Sequence, residues 1–243
     1  MIAITGATGQ LGHLVIEQLL NTVPANQIVA IVRNPAKAEA LSQQGIVVRQ
    51  ADYTNEAAFT AALADCARRH GRLDILVNNA MAYTWGPIES MSSADWQANF
   101  ATSVDGTFWG TRSALQLMKA HGGAIVNLSS ICGTLGTAWM AGYSAAKAAV
   151  INFSRAAAAE GAAHGIRVNV VIPAVVETPA TAGMLSDPAA KASTEKLIPL
   201  GRVGQARELA NAILFLASDE ASYVTGAALP VDGGRSAVLV TAL

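Results

Sequence analysis

Short runs of Val, Ile and Leu alternate along this chain with longer stretches in which apolar residues recur every three or four positions. The runs are Ile2–Ile4, Gln27–Val32, Val47–Gln50, Ile75–Asn78, Ala124–Leu128, Arg167–Ile172 and Ala228–Val231. Several are nearly continuous in aliphatic residues, as strands buried on both faces are. The helix-period stretches are Leu11–Leu20, Ala36–Gln43, Glu56–His70, Asp95–Ala120, Tyr143–His164 and Ala206–Ala217, with Gly165 as a stop for the fifth. This alternation predicts one α/β domain over residues 1–243: a doubly wound, mainly parallel seven-stranded sheet with helices on both faces, joined by right-handed crossovers. From about Pro173 to Pro199 no period is clear. An ordered loop of that length in a compact domain is usually a lid or binding loop.

Composition narrows the function classes. With 52% hydrophobic residues in 243, the chain can bury one large core without disulfide or metal staples. A net charge of −1 points to neither a nucleic-acid nor an anionic-membrane partner. No apolar run approaches a membrane span, and the chain opens into a strand rather than a basic leader, so no signal peptide is expected. Cys66 and Cys132 lack CxxC spacing, which fits a reducing cytoplasm and argues against zinc. His13, His70, His121 and His164 are scattered and read as surface or capping residues, so no metal is expected.

Two features carry chemistry. The first is Thr5-Gly6-Ala7-Thr8-Gly9-Gln10-Leu11-Gly12, which follows an apolar strand and opens a helix. Strand, glycine turn and helix are the context of a dinucleotide fingerprint. Gly6 makes the turn, Gly9 admits pyrophosphate to the helix N-terminus, and Gly12 allows close helix–strand packing. Methyltransferases and other tight turns also use glycines, whereas a P-loop would need a Gly-Lys-Ser/Thr that is absent. The second feature is Tyr143 four residues before Lys147, with Ser130 thirteen residues upstream at the end of an apolar strand. On a helix the first two share a face, with Cβ atoms roughly 5–6 Å apart. A nearby ammonium lowers a phenol's pKa from about 10. The four-residue spacing alone also describes a surface lysine and a half-buried tyrosine; the serine and the glycine turn favour a catalytic set.

From Leu73 onward the chain resembles the classical branch of the short-chain dehydrogenase/reductases. The matching segments are Leu73-Asp74-Ile75-Leu76-Val77-Asn78-Asn79-Ala80, Ile125-Val126-Asn127-Leu128-Ser129-Ser130, the Tyr143/Lys147 pair, Gly165-Ile166-Arg167-Val168-Asn169, Val224-Thr225-Gly226 and Val231-Asp232-Gly233-Gly234. The first sixty or so residues, with TGxxGxxG, Ile31-Val32-Arg33-Asn34-Pro35 and Gln50-Ala51-Asp52-Tyr53, look more like atypical NmrA-like NADPH-dependent quinone reductases. That mismatch suggests a chimera, natural or engineered, joined between about Tyr53 and Arg72, with one shuffled ancestor as the alternative.

The resemblance implies a single Rossmann-fold domain and an NAD(P)-dependent carbonyl reductase or alcohol dehydrogenase. Tyr143 would be the general acid or base, Ser130 would orient the substrate oxygen, and Lys147 would lower the tyrosine pKa and bond the nicotinamide ribose. Ser103 stands where the family usually has a catalytic asparagine; Met81 and Ala174 replace usual glycines. The dinucleotide would lie along Gly6, Thr8, Gly9, Gln10, Leu11 and Gly12, with Asp52 near the adenine and Asn79 and Ala80 beside the adenosine ribose. Pro173, the Val176 backbone and Thr178 would hold the nicotinamide, although Thr178 also suits a helix cap. Arg33 ends the second strand where an acid would select NAD, and a guanidinium suits a 2′-phosphate, so NADP(H) is expected ahead of NAD(H).

Trp85, Ile131, Leu135, Trp139, Met140, Met184 and Leu185 would line an apolar pocket for a small ketone or alcohol. The alternatives are an NADP-binding redox sensor or a catalytically weak hybrid. Alanine-rich long helices and the tail Ala237-Val238-Leu239-Val240-Thr241-Ala242-Leu243 suggest a homotetramer.

Overall fold

The computed structural model describes residues 1–239. Nine strands run in the order β1 (Ile2–Thr5), β2 (Ile28–Val32), β3 (Val47–Gln50), β4 (Ile75–Asn78), β5 (Gly123–Leu128), β6 (Ile166–Pro173), β7 (Val176–Glu177), β8 (Gly204–Gln205) and β9 (Ala228–Val231). Seven of them form one parallel sheet in the order β3-β2-β1-β4-β5-β6-β9, and β7 and β8 pair separately. The helices are α1 (Gln10–Leu19), α2 (Glu39–Gln43), α3 (Glu56–His70), α4 (Ser93–Phe100), α5 (Gly106–Met118), α6 (Ala141–Ala162), α7 (Ala182–Leu185), α8 (Pro188–Glu195) and α9 (Ala206–Ala217).

Strand alternation sorts the aliphatic runs into two cores. Ile2, Ile4, Ala30, Val77, Val126 and Val171 face α1 and α9. Ala3, Val29, Ile31, Leu76, Ile125 and Val168 face α3, α5 and α6. Buried polar side chains tie the second layer to the sheet. Asn78 donates to Asn127 at 2.9 Å, and Asn127 donates to Ser154 on α6 at 2.8 Å. The strand order reverses at β1 and β4, so a crevice opens at the carboxyl ends of these strands, where doubly wound sheets bind ligands.

Three elements differ from the sequence expectation. The helix expected over Asp95–Ala120 is two helices separated by a π-helical turn, Ala101–Asp105. There the Thr107 hydroxyl donates to the Ser103 carbonyl at 2.7 Å, competing for a backbone acceptor. The stretch Ala36–Gln43 begins instead with a 3₁₀ turn, Pro35–Ala38, whose first N–H groups Asn34 caps. The aperiodic segment after Pro173 contains β7, α7 and α8, which are too short and too exposed to impose a period. Among the described residues no helix is long and apolar enough to cross a membrane.

Candidate active site

Two junctions at the carboxyl edge of the sheet gather the predicted residues. At the first, β1 runs into Gly6, whose φ of 62° few other residues adopt. A Cβ on Gly12 would lie 2.5 Å from the Gly6 carbonyl oxygen, so only glycine lets α1 approach the turn. The N-terminus of α1 has no side-chain cap and no acid in its first turn. Its N–H groups and dipole therefore suit a phosphate. Thr8, Gly9, Gln10 and Leu11 line this end.

Residues outside the motif hold the turn. The Thr5 hydroxyl accepts from Asn79 N at 2.9 Å and Ala80 N at 3.1 Å. The Asn79 amide donates back to Thr5 O and Gly6 O. The buried Tyr53 hydroxyl accepts from Gly6 N at 2.8 Å and donates to Ile31 O at the end of β2. Arg33, two residues beyond Ile31, is exposed and makes no salt bridge among the described residues. Asp52 is also exposed. Its Oδ1 closes a turn onto Thr54 N and Oγ1, which holds its carboxyl below the usual range.

At the second junction, β5 meets α6. Ser130 follows β5 and caps a 3₁₀ turn, Ile131–Gly133. Tyr143 and Lys147 lie on one face of α6, with the ammonium 5.7 Å from the phenol ring centroid. Three contacts latch the helix to the strand end. The Ser129 hydroxyl donates to Lys147 O at 2.8 Å, Lys147 Nζ donates to Leu128 O at 2.8 Å, and a Cβ on Gly133 would lie 2.6 Å from the Lys147 carbonyl carbon.

Burial governs both ionisations. It pushes the Tyr143 phenol up to about 12, against the opposing pull of the Ser130 hydroxyl, and brings the Lys147 ammonium down to about 8. The expected lowering of the phenol by Lys147 is therefore not found. Ser103 is buried, but its hydroxyl donates to Ala82 O at 3.3 Å, on the segment after β4.

The expected pocket residues divide. Trp85, Leu135 and Trp139 are exposed around the site, and Met140 is the N-cap of α6. Ile131 instead belongs to a buried cluster with Ile151, Val170 and Ile172, because the 3₁₀ turn points it inward. Met184 and the half-buried Leu185 sit on α7. Beyond Pro173, Thr181 ties together the residues expected to hold the nicotinamide: its hydroxyl donates to Val176 O and accepts from Thr178 N at 3.0 Å. Thr5, Tyr53, Asn99 and Thr181 were not among the candidates from sequence. Thr5, Tyr53 and Asn99 act through hydrogen bonds to residues distant in sequence, and Thr181 closes a local turn in an aperiodic segment.

The family model described as Enoyl-(Acyl carrier protein) reductase matches residues 25–236. The 2-(S)-hydroxypropyl-CoM dehydrogenase 3 of Xanthobacter autotrophicus (strain ATCC BAA-1158 / Py2) is 36% identical over 247 residues, covering 98% of this chain and 97% of its own. This chain belongs to the classical short-chain dehydrogenase/reductases. As such it is an NAD(P)-dependent oxidoreductase acting between carbonyl and alcohol. One family match runs unbroken through residues 53–72, where the sequence suggests a join. The cyclopentanol dehydrogenase of Comamonas sp. (strain NCIMB 9872) is 43% identical over 187 residues, 76% of this chain and 75% of its own. Among solved structures, a gluconate 5-dehydrogenase from Burkholderia cenocepacia J2315 in complex with NADP and tartrate superposes with a TM-score of 0.91. It is 31% identical, covering 98% of this dehydrogenase/reductase and 95% of that chain.

Proposed function

We propose that this dehydrogenase/reductase interconverts a small apolar, preferably cyclic, secondary alcohol and its ketone, with NADP(H) preferred over NAD(H). The observation that carries the reading is the latched set Ser130, Tyr143 and Lys147, buried at the same sheet edge as an uncapped glycine turn. Relatives named for cyclopentanol and trans-4-hydroxycyclohexanecarboxylate support a cyclic substrate. The turn fits a dinucleotide: the N-terminus of α1 has no side-chain cap, and side chains at Gly6 and Gly12 would fill the cradle. Gly6 to Gly12, Asp52, Asn79 and Ala80 would hold the adenosine and pyrophosphate, Arg33 a 2′-phosphate, and Pro173, Val176 and Thr178 the nicotinamide.

The cofactor, when bound, supplies or takes up the hydride. Tyr143 delivers a proton to the carbonyl oxygen in reduction and removes it in oxidation, a role worth about 10²–10⁴-fold. A phenol that titrates near 12 holds its proton at neutral pH, which favours the acid role in reduction. Ser130 holds the same oxygen. Lys147, charged near neutrality, favours the phenolate as the proton leaves. Ser103 acts through the loop it bonds rather than through the lysine.

Two further readings accompany this one. The unbroken family match supports one continuous ancestor whose dinucleotide half diverged, rather than a fusion with an NmrA-like protein. A homotetramer in the cytoplasm is supported by the outer face of α5 and α6. There the 40%-exposed Phe108 stacks edge-on to Phe153 under Arg112. The free thiols Cys66 and Cys132 fit a reducing compartment. Residues 240–243 of the apolar tail lie outside the described residues. Light scattering checks the assembly, and a clean monomer overturns it. The activity test is a panel of cyclic, aryl and aliphatic ketones and alcohols, with NADPH and NADH followed separately. Turnover of cyclic ketones with NADPH is expected; dinucleotide binding with no turnover of any carbonyl would point to a sensor.

A further inference from the structure

The segment after β4 is pinned over Tyr143 at three points by residues to which the mechanism above gives no part in the chemistry. Ser103 Oγ donates to Ala82 O at 3.3 Å. Asn99, on α4 and with no exposed surface, accepts from Thr84 N at 3.1 Å and donates to Thr84 Oγ1 at 2.7 Å. Its second amide proton goes to Asp95 O at 2.7 Å. Gly86 N donates to Trp139 O at 2.9 Å, and Trp139 is the one non-glycine residue with positive φ, 68°, among those described. Such strain persists only where surrounding structure enforces it, and it clusters at functional sites.

The seat for Asn99 is itself built next to the catalytic phenol. A Cβ on Gly142 would lie 2.8 Å from Asn99 Nδ2, so the absent side chain beside Tyr143 makes room for the amide. With both donors and its oxygen engaged, this amide has one orientation and cannot swap without breaking bonds. The result is visible one residue before Thr84. The Tyr83 ring stands edge-on to the Tyr143 ring, centroids 6.2 Å apart at 70°. Tyr83 is nevertheless 45% exposed, and Trp139 across the opening is 54% exposed. Large rings left open beside a buried catalytic phenol are walls for an apolar ligand.

We infer that Asn99 is a positioning residue that fixes Ala82–Gly86 over the site, and that Tyr83 thereby sets the size of the substituent accepted beside the reacting carbonyl. The inference rests on the proposed ketone/alcohol chemistry and deepens it. A carbonyl oxygen held by Tyr143 and Ser130 places one of its two substituents against Tyr83. A single puckered five- or six-membered ring fits beside that edge, whereas a fused bicyclic ketone meets it.

The test compares Tyr83→Ala and Thr84→Val with the parent protein. Thr84→Val keeps the side-chain shape and removes the acceptor for Asn99. Three quantities are read: kcat/KM for cyclohexanone and for a bicyclic aryl ketone, calorimetric dissociation constants for both ketones with NADP⁺ present, and amide hydrogen exchange over residues 82–86. For Tyr83→Ala we expect the preference for the bicyclic over the monocyclic ketone to rise about tenfold or more, the scale on which a pocket senses added carbon atoms. Thr84→Val should move the preference the same way by less and speed exchange at Thr84 and Gly86, with NADP⁺ affinity unchanged. Equal losses for both ketones in Tyr83→Ala, or unchanged exchange in Thr84→Val, would overturn the inference while leaving the reaction intact. No turnover of either ketone by the parent protein would instead sink the proposed reaction, and the binding ratios would still decide the role of Tyr83.

Discussion

Replacing Lys147 with Met tests the electrostatics of the site through stability rather than rate. The ammonium is buried at 2% exposure among apolar atoms and one carbonyl, and burial lowers its pKa from 10.5 to about 8. A shift of that size corresponds to about 3 kcal/mol of differential stability between charged and neutral lysine. The sign follows from proton counts. Between pH 8 and 10.5 the unfolded lysine keeps its proton while the folded one has lost it, so stability rises with pH across that window. Below pH 8 the full penalty of the buried charge is present; above 10.5 it is gone. Met has similar length and no charge, so the variant lacks this dependence. It leaves Leu128 O without its partner, at a cost of about 1–3 kcal/mol that does not vary with pH. Other titrating groups, including Cys66 and Tyr53, are common to both proteins and cancel in the difference. Urea denaturation of parent and variant from pH 7 to 10.5 should therefore show the parent gaining about 3 kcal/mol relative to Lys147→Met. Parallel curves would mean that water reaches the ammonium, and the account of Lys147 as a buried charge would fail.

Other substitutions separate the remaining roles. Tyr143→Phe keeps the ring against Tyr83 and should lower kcat about 10²-fold or more with NADPH affinity nearly unchanged; more than about a tenth of parental turnover rules out the phenol as general acid. Arg33→Ala should weaken NADPH binding about tenfold or more and NADH binding little, as loss of a charge-assisted bond to a 2′-phosphate requires; equal losses would make the arginine structural. Tyr53→Phe removes the acceptor for Gly6 N and the donor to Ile31 O. It should weaken both dinucleotides by similar factors, and a change in NADPH-to-NADH preference would show that the hydroxyl acts on the 2′ position instead.

The parts of the fold with a strong period were readable, and those built from tertiary bonds were not. Seven strands were legible to within a residue at their ends, the central ones because each is an aliphatic run that the two helical layers cover. The π turn at Ala101–Asp105 was hidden because one added residue in a helical turn leaves the apolar pattern nearly intact. Ser130, Tyr143 and Lys147 could be found together because helix spacing and strand-end position carry geometry. Asn99 could not, since it is a common polar residue whose partner fifteen positions away is set by packing. Ile131 looked like a wall from its neighbours and is core, because one 3₁₀ turn decides where it points.

The latch between the end of β5 and α6 has a consequence for how such a protein can change. Gly133 against the Lys147 backbone, Ser129 on Lys147 O and Lys147 on Leu128 O make the proton-transfer apparatus one unit that moves, or breaks, as a whole. The rings that bound the opening sit on segments outside this unit: Tyr83 on the segment held by Asn99 and Ser103, and Trp139 ahead of α6, its carbonyl accepting from Gly86 N. Random mutagenesis with selection for new ketones should therefore accumulate surviving changes at Tyr83, Trp85 and 134–140, while positions 128–133 and 143–147 stay silent. Substrate range can change at the wall rings without breaking the latch that holds the proton-transfer residues.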